Sequence, residues 1–323
     1  MRTPDRDPAR PAPWPTLGAF LRDRIPPEGQ AGLDRMLAAG EFVLQDGTPI
    51  TGAEPYTPHT FVWFHRELRH EPEVPGQVHV IHRDERLVVV DKPHFLASIP
   101  RGRHITQSVV VRMRDQLGLP ELSPAHRLDR LTAGVLVCTT EQRWRGAYQQ
   151  LFAHREVTKT YEAIAPFDPR LQFPLTIESH IHKQPGIMAA VEMPDREPNS
   201  HTVVELIETA GRWARYRLHP RTGRTHQLRL HLNSLGIPIR YDPLYPVDLD
   251  KDLDDFTDPL QLLASELSFV DPIDASPRSY RSGQHLRLES DRAIGADDVH
   301  SSVGIKSGVS LPSPEVRTSR EHR

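Results

Sequence analysis

Between Val78 and Pro272 the apolar residues fall in short β-type runs that follow one another, interrupted by only a few helical stretches. "VHVIHRDERLVVVDKP" reads as two strands about a charged turn, stopped by Pro93. "KTYEAIAP", "HTVVELIETA", "RWARYRLHP" and "LASELSFVDP" are further strands, and "GVLV" after Thr132 reads as a buried one. Helical patterns appear in "TQSVVVRMRDQLG", with Thr106 as N-cap and Gly118 as C-cap, and in "EQRWRGAYQQLFAHR". A third runs through "TGRTHQLRLHLNSLG" and ends at Gly236. Runs of strands without strict alternation with helices predict an α+β fold with a mixed, largely antiparallel sheet flanked by helices and loops.

The flanks differ from this middle. Residues 1–16 hold five prolines and little that could form a core. Residues 276–323 are rich in Ser, Arg, Gly and acids, so both ends are expected to lack order. Residues 17–70 read as a small module: helices in "LGAFLRDRI" and "GLDRMLAAGEFV", a strand-turn-strand in "EFVLQDGTPI", and a closing strand in "FVWFHREL". "HEPEVPGQ" reads as a linker over 71–77, which leaves 78–275 as the large domain. With one cysteine, Cys138, the chain can form neither an internal disulfide nor a cysteine-based zinc site. Its longest apolar runs are four or five residues, too short for a signal peptide or a membrane span, and a cytoplasmic location is expected.

The net charge of −3 decides little, but its distribution is uneven. Between Gly211 and Arg240 there are seven arginines and no acid; between Tyr241 and Asp274 there are ten acids and one lysine. A basic stripe is the usual footprint of a phosphate-binding surface. Only five of the forty cations are lysine, so the stripe also fits a chain whose default cation is arginine.

Three sites deserve weight. "PAHRLDRLTAGVLV" sets Asp129 between Arg127 and Arg130 at the mouth of a buried strand. Cations nearby favour an ionised carboxylate, fit to act as a nucleophile or a metal ligand, although an Asp capping a turn reads the same way. "RTGRTHQLRLH", if helical, places Arg224, Gln227 and His231 near one face, and Arg221 and Arg224 suit an anion at its N-terminal end. A basic amphipathic helix with one solvated face is the plainer account. Tyr161 in "VTKTYEAIA" is either a core residue or a stacking platform for a base. His82, His94 and His104 lack metal-ligand spacing and are expected at the surface or facing RNA. There is no phosphate-cradling loop, dinucleotide fingerprint, Gly-x-Ser-x-Gly elbow or metalloprotease motif, so neither a nucleotide cofactor nor a metal is expected.

Four stretches in order, "VVVDKP" (88–93), "HRLDRLTAGVLV" (126–137), "KTYEAI" (159–164) and "TGRTHQLRLHLNSLGIPIRYDPLY" (222–245), resemble the RluA-type family of RNA pseudouridine synthases. The resemblance implies that fold over 78–275 and isomerisation of uridines in ribosomal or transfer RNA, without a cofactor and with monomer as the default state. It makes Asp129 the nucleophile, stacks Tyr161 on the target base and pairs Arg229 with Asp129. Arg127 would fill the space of the flipped nucleotide. Arg130, Arg221, Arg224, His226 and Gln227 are further candidate RNA contacts. A non-catalytic RNA-binding protein and a nucleosidase-like hydrolase are the competing readings of the same residues. Residues 17–70 resemble a reduced S4-like RNA-binding module through "AAGEFVLQDGTPI". The chain departs from the family at Ala133 in Thr-Ala-Gly, at Arg240-Tyr241 before Asp242, and at Leu263 in Leu-Leu-Ala.

Overall fold

The computed structural model describes residues 1, 3–4, 14–25, 30–64, 70–102, 104–184 and 186–288. The chain divides into two compact units, Met1–Glu71 and Pro72–Arg323. In the first, helices α1 (Leu17–Arg24) and α2 (Gln30–Ala38) enclose a small core with a two-stranded sheet of β1 (Phe42–Val43) and β2 (Trp63–Phe64). Thr16 caps α1, its Oγ1 accepting the Ala19 N–H, so the helix begins where the apolar period begins. Phe20, Leu21, Leu33, Phe42, Ile50 and Val62 are each at most 1% exposed and form that core.

The described residues of 1–16 do not behave as the expected loose tail. Thr3 donates its N–H to Thr60 O at 2.9 Å and its hydroxyl to Thr57 O at 2.7 Å, while Trp14 stands edge-on to Phe20. Backbone pairing and one aromatic ring hold these described residues where apolar content alone is too low.

The second unit is built on one ten-stranded sheet. Its strands are β3 (His79–Arg83), β4 (Leu87–Lys92), β5 (Ser123–Pro124), β6 (Ala133–Thr139), β7 (Thr158–Pro166) and β8 (Leu175–Ser179). They continue with β11 (Ser200–Ala210), β12 (Trp213–Pro220), β13 (Leu262–Val270) and β14 (Pro277–Arg281). The main path runs β3-β4-β6-β13-β7-β12-β11-β8, and β9 (Ile181–His182) with β10 (Val191–Glu192) makes a separate hairpin. Every pairing in the sheet is antiparallel except β6 with β13. The fold is therefore α+β with a mixed, mostly antiparallel sheet. Three helices pack with it: α3 (Val109–Leu117), α4 (Gln142–Ala153) and α5 (Gln227–Ser234).

The parallel joint between β6 and β13 depends on one glycine. Gly134 has φ +111°, and a Cβ there would lie 2.2 Å from the Ala264 carbonyl oxygen. Only glycine lets the two backbones meet at this distance, and the joint fixes the loop that carries Asp129 against the middle of the sheet. Strand β6 is buried along its whole length, which accounts for the continuous apolar run that follows Thr132.

Several expectations need correction. The helix read from Thr106 starts after Ser108, whose Oγ accepts the Val111 N–H. The segment read as a linker is pinned to the domain: Val74 is 2% exposed in the core and its N–H donates to Gln107 Oε1. The C-terminal stretch is ordered to residue 288 among the described residues, the remainder lying outside them. Its β14 pairs with β13, and buried Asp91 accepts hydrogen bonds from Ser282 Oγ, Gly283 N and Gln284 Nε2. A single buried carboxylate holds a segment whose apolar residues are too few to announce it.

Candidate active site

Asp129 sits in the turn before β6, its carbonyl accepting the Thr132 N–H at 3.0 Å. The backbone on either side is clamped. Ser98 Oγ donates to Leu128 O and accepts the Leu128 N–H, at 2.8 and 3.1 Å. Lys92 Nζ donates to Arg130 O at 3.1 Å as well as to Pro93 O and Leu96 O. Lys92 is fully buried, and burial pushes its amine down to about 7 although the Asp129 charge pulls the other way. Two side chains, Lys92 at the end of β4 and Ser98 in the loop after it, thus hold the carboxylate-bearing turn in one conformation.

Asp129 opens into a cavity of about 560 Å³ bounded by this turn, the end of α4, β7, the end of β12 and the loop into α5. Among the described residues six cations line it, Arg127, Arg155, Lys159, Arg221, Arg224 and Arg229, and Asp129 is the only carboxylate. A concave, polar, positively charged cleft around one acid suits a polyanion that must expose one neutral group to that acid. Tyr161 projects from β7 into the same cavity. Burial, with the Asp129 charge added, pushes its hydroxyl well above its ordinary value, so it is protonated at neutral pH.

Arg229 on α5 lines the cavity, but its ion pair is with Asp242 and not with Asp129 as expected. Nε and Nη2 donate to Asp242 Oδ2 and Oδ1 at 2.7 and 2.5 Å, and the two side chains are 2% and 0% exposed. Burial opposes the charge; the bidentate Asp242 and the Asp129 field outweigh it, so the guanidinium is held above its usual value. A buried arginine fork takes the carboxylate that reaches it bidentately, which leaves Asp129 within its field and, among the described residues, without a side-chain hydrogen bond of its own. Asp242 also accepts the N–H groups of Leu244 and Tyr245, and the Arg229 guanidinium stacks 5.2 Å over the Tyr245 ring.

The other predicted contacts separate. Arg127, Arg221 and Arg224 are exposed at the cavity and available to a phosphate. Arg130 turns away, donating to Leu253 O at 3.1 Å and lying 6.0 Å from the Phe95 ring centre. Gln227 cannot read RNA. It is 4% exposed, its Oε1 accepts from Thr222 Oγ1 and Arg224 N, and its Nε2 donates to His201 O and Thr202 Oγ1. Helix α5 starts at Gln227, so Arg221 and Arg224 belong to the loop before it and share no helix face with His231. His231 is buried among Thr202, Ser179 and Ser200. His226, in the left-handed region at φ +58°, shares a hydrogen bond with the Tyr245 hydroxyl, and burial lowers its pKa. His94, expected at the surface, bonds Leu131 O, and burial pushes it down to about 4. The basic stripe is not one surface either: Arg215 pairs with Glu162 and Glu208, and Arg229 is buried.

Lys92, Arg155, Lys159 and Asp242 escaped the sequence reading. A lysine closing the apolar run "VVVDK" and the first acid after the acid-free stretch were the available signals. Lys159 reaches Thr222 O at 3.0 Å, a contact spanning 63 residues. Cys138 is buried and its thiol pushed up to about 12 by burial, so it is no nucleophile. No group of three or more His, Cys, Asp or Glu among the described residues could hold a metal ion.

Comparison with known proteins decides the family. The profile described as RNA pseudouridylate synthase matches residues 86–234, which hold Asp129, Tyr161 and Arg229. The dual-specificity RNA pseudouridine synthase RluA of Vibrio vulnificus is 30% identical over 220 residues, covering 64% of this chain and 82% of that protein. The chain belongs to the RluA-type RNA pseudouridine synthase family. The mitochondrial tRNA pseudouridine(32) synthase of Saccharomyces cerevisiae is 31% identical over 191 residues, 57% of this chain and 40% of the yeast protein. This family member therefore spans less than half of the yeast relative's length. A solved structure, human RNA pseudouridylate synthase domain containing 1, superimposes with TM-score 0.54 and 22% identity over 67% of this chain and 86% of its own. That likeness makes the architecture described above the pseudouridine synthase fold.

Proposed function

We propose that this protein isomerises uridine to pseudouridine in structured RNA, ribosomal or transfer, with Asp129 as the catalytic carboxylate. The observation that carries the reading is the cleft itself, which brings one carboxylate on a clamped turn together with a half-buried tyrosine, the buried Arg229 and five further cations. The reaction breaks the N1–C1′ bond, turns the uracil in place and forms a C1′–C5 bond. The C5 proton leaves and N1 gains one, so atoms and electrons balance without an oxidant. Covalent attack by a carboxylate splits this step into easier ones. Uracil departs as a delocalised anion, and the charge of Arg229 favours that form. Tyr161 stacks on the base, with its protonated hydroxyl able to donate. Extruding the target from its stack costs about a few kcal/mol, which phosphate contacts from Arg127, Arg155, Arg221 and Arg224 help to offset. Residues 17–70 act as an accessory RNA-binding module in this reading; the stacked rings of Phe61 and Trp63, 41% and 54% exposed, support it.

The test is incubation of purified protein with RNA labelled with tritium at uracil C5, drawn from cells lacking the protein. Release of tritium with pseudouridine in the RNA and no free uracil is expected. Free uracil would make the protein a hydrolase, and retention of all tritium would leave an RNA-binding protein.

A further inference from the structure

Asp129 and Arg229 line not one cavity but two. The second, of about 430 Å³, differs in lining: Phe95, Leu131, Met188, Tyr241 and Leu244 give it apolar walls, and five aspartates between Asp248 and Asp258 line it together with Arg130 and Lys251. Tyr241 is the unusual member. Its backbone is left-handed at φ +62°, a costly state for a bulky residue, and the side chain is still 41% exposed, so burial does not offset that cost.

The ring is also braced. Arg240 lies 4.7 Å over it and 4.8 Å over Trp213, and donates Nη2 to the Tyr241 hydroxyl at 2.8 Å. The Arg240 backbone is tied to Ile164 O and to the Gln261 N–H. A planar apolar surface is therefore held rigid and open at a cavity that reaches the catalytic carboxylate. Such platforms stack bases, and a cation behind the ring strengthens the stack. The aspartates of this lining outnumber Arg130, Arg229 and Lys251 and disfavour phosphate, so a neutral base fits here while its backbone follows the arginines of the first cavity.

We propose that this second cavity is a nucleobase subsite, in which a base adjacent to the flipped uridine stacks on Tyr241. The proposal rests on the RNA-modifying function above. Stacking of one base on an aromatic ring is worth about tenfold in affinity.

The test compares Tyr241→Gly, Tyr241→Asn and Tyr241→Phe with wild type. Kd is measured for a short oligouridylate, and kcat/KM for an RNA spanning the mapped site, with and without an abasic residue beside the target. The Gly and Asn variants suit the left-handed backbone and keep the melting temperature. Both are expected to bind about tenfold more weakly, and Phe as tightly as wild type. The abasic residue is expected to lower wild-type kcat/KM by a similar factor and to cost the Gly variant little more. Wild-type Kd and kcat/KM in Tyr241→Gly, or an equal loss in Gly and Phe, overturns the subsite. If wild type forms no pseudouridine, the activity is what fails, and the subsite stands or falls on the oligouridylate Kd.

Discussion

Removing Asp242 separates what holds Arg229 from what Arg229 does. The carboxylate is fully buried and accepts four hydrogen bonds: from Arg229 Nε and Nη2 at 2.7 and 2.5 Å, and from the N–H groups of Leu244 and Tyr245 at 2.9 and 3.2 Å. Asp242→Ala leaves a buried guanidinium without its counter-charge, a change that typically costs about 3–5 kcal/mol. Against a total stability of roughly 5–15 kcal/mol that is a severe but survivable loss. The guanidinium also loses the fork that aims it at the cleft, and a displacement of about 1 Å at a reacting centre is enough for about 10²-fold in rate. Urea unfolding and tritium release on the same preparation read both effects. The double variant Arg229→Met with Asp242→Leu is expected to recover stability to within about 2 kcal/mol of wild type, since apolar replacement of a buried pair is often neutral. Its activity is expected to stay lost. Full turnover in Asp242→Ala, or in the double variant, would refute the reasoning that the pair serves catalysis through Arg229.

Tyr161→Phe is expected to keep its fold and RNA affinity but lose most of its turnover; unchanged kcat would remove the hydroxyl from the mechanism. Gly134→Ala forces a Cβ against the Ala264 carbonyl at a φ that alanine avoids, so circular dichroism melting should show a loss of about 3 kcal/mol or more. A change below about 1 kcal/mol would mean the β6–β13 joint yields easily. Burial pushes His231 down to about 4 and His126 to about 3, so both rings are neutral in the fold. Between those values and the ordinary 6.5 the unfolded chain binds protons that the fold refuses. Stability is therefore full above about pH 6.5 and falls by up to about 1.4 kcal/mol per pH unit per ring as the solution is acidified. Urea midpoints that stay constant from pH 7 to 5 would contradict this.

The strands were legible because burial on one face writes a period of two, as in β12, where Ala214, Tyr216 and Leu218 point inward between Arg215 and Arg217. Asp129 stood out because its motif is one of four family-like stretches in order; an acid between two arginines alone fits a turn cap as well. Of the cations whose fields reach it, only Arg229 was named beforehand, and that through the same resemblance. Arg127 and Arg130 are neighbours in sequence, but one is exposed at the cavity and the other points to Leu253. The cations whose fields reach Asp129 are Lys92 and Arg229, brought in by β4 and α5. Gln227 shows the same limit, since two of its four partners, His201 and Thr202, lie on β11, 26 and 25 residues away, where local spacing does not reach. Residues 276–288 were misjudged because composition reports apolar content, whereas Asp91 holds Ser282, Gly283 and Gln284 through hydrogen bonds.

The central claim is that the Asp129 carboxylate makes pseudouridine. Pseudouridines mapped across the RNA of a deletion strain, complemented with wild type or with Asp129→Ala, test it directly. Wild type is expected to restore one or a few sites and Asp129→Ala none, although the variant is folded and binds the same RNA. Sites restored equally by both proteins would contradict the account.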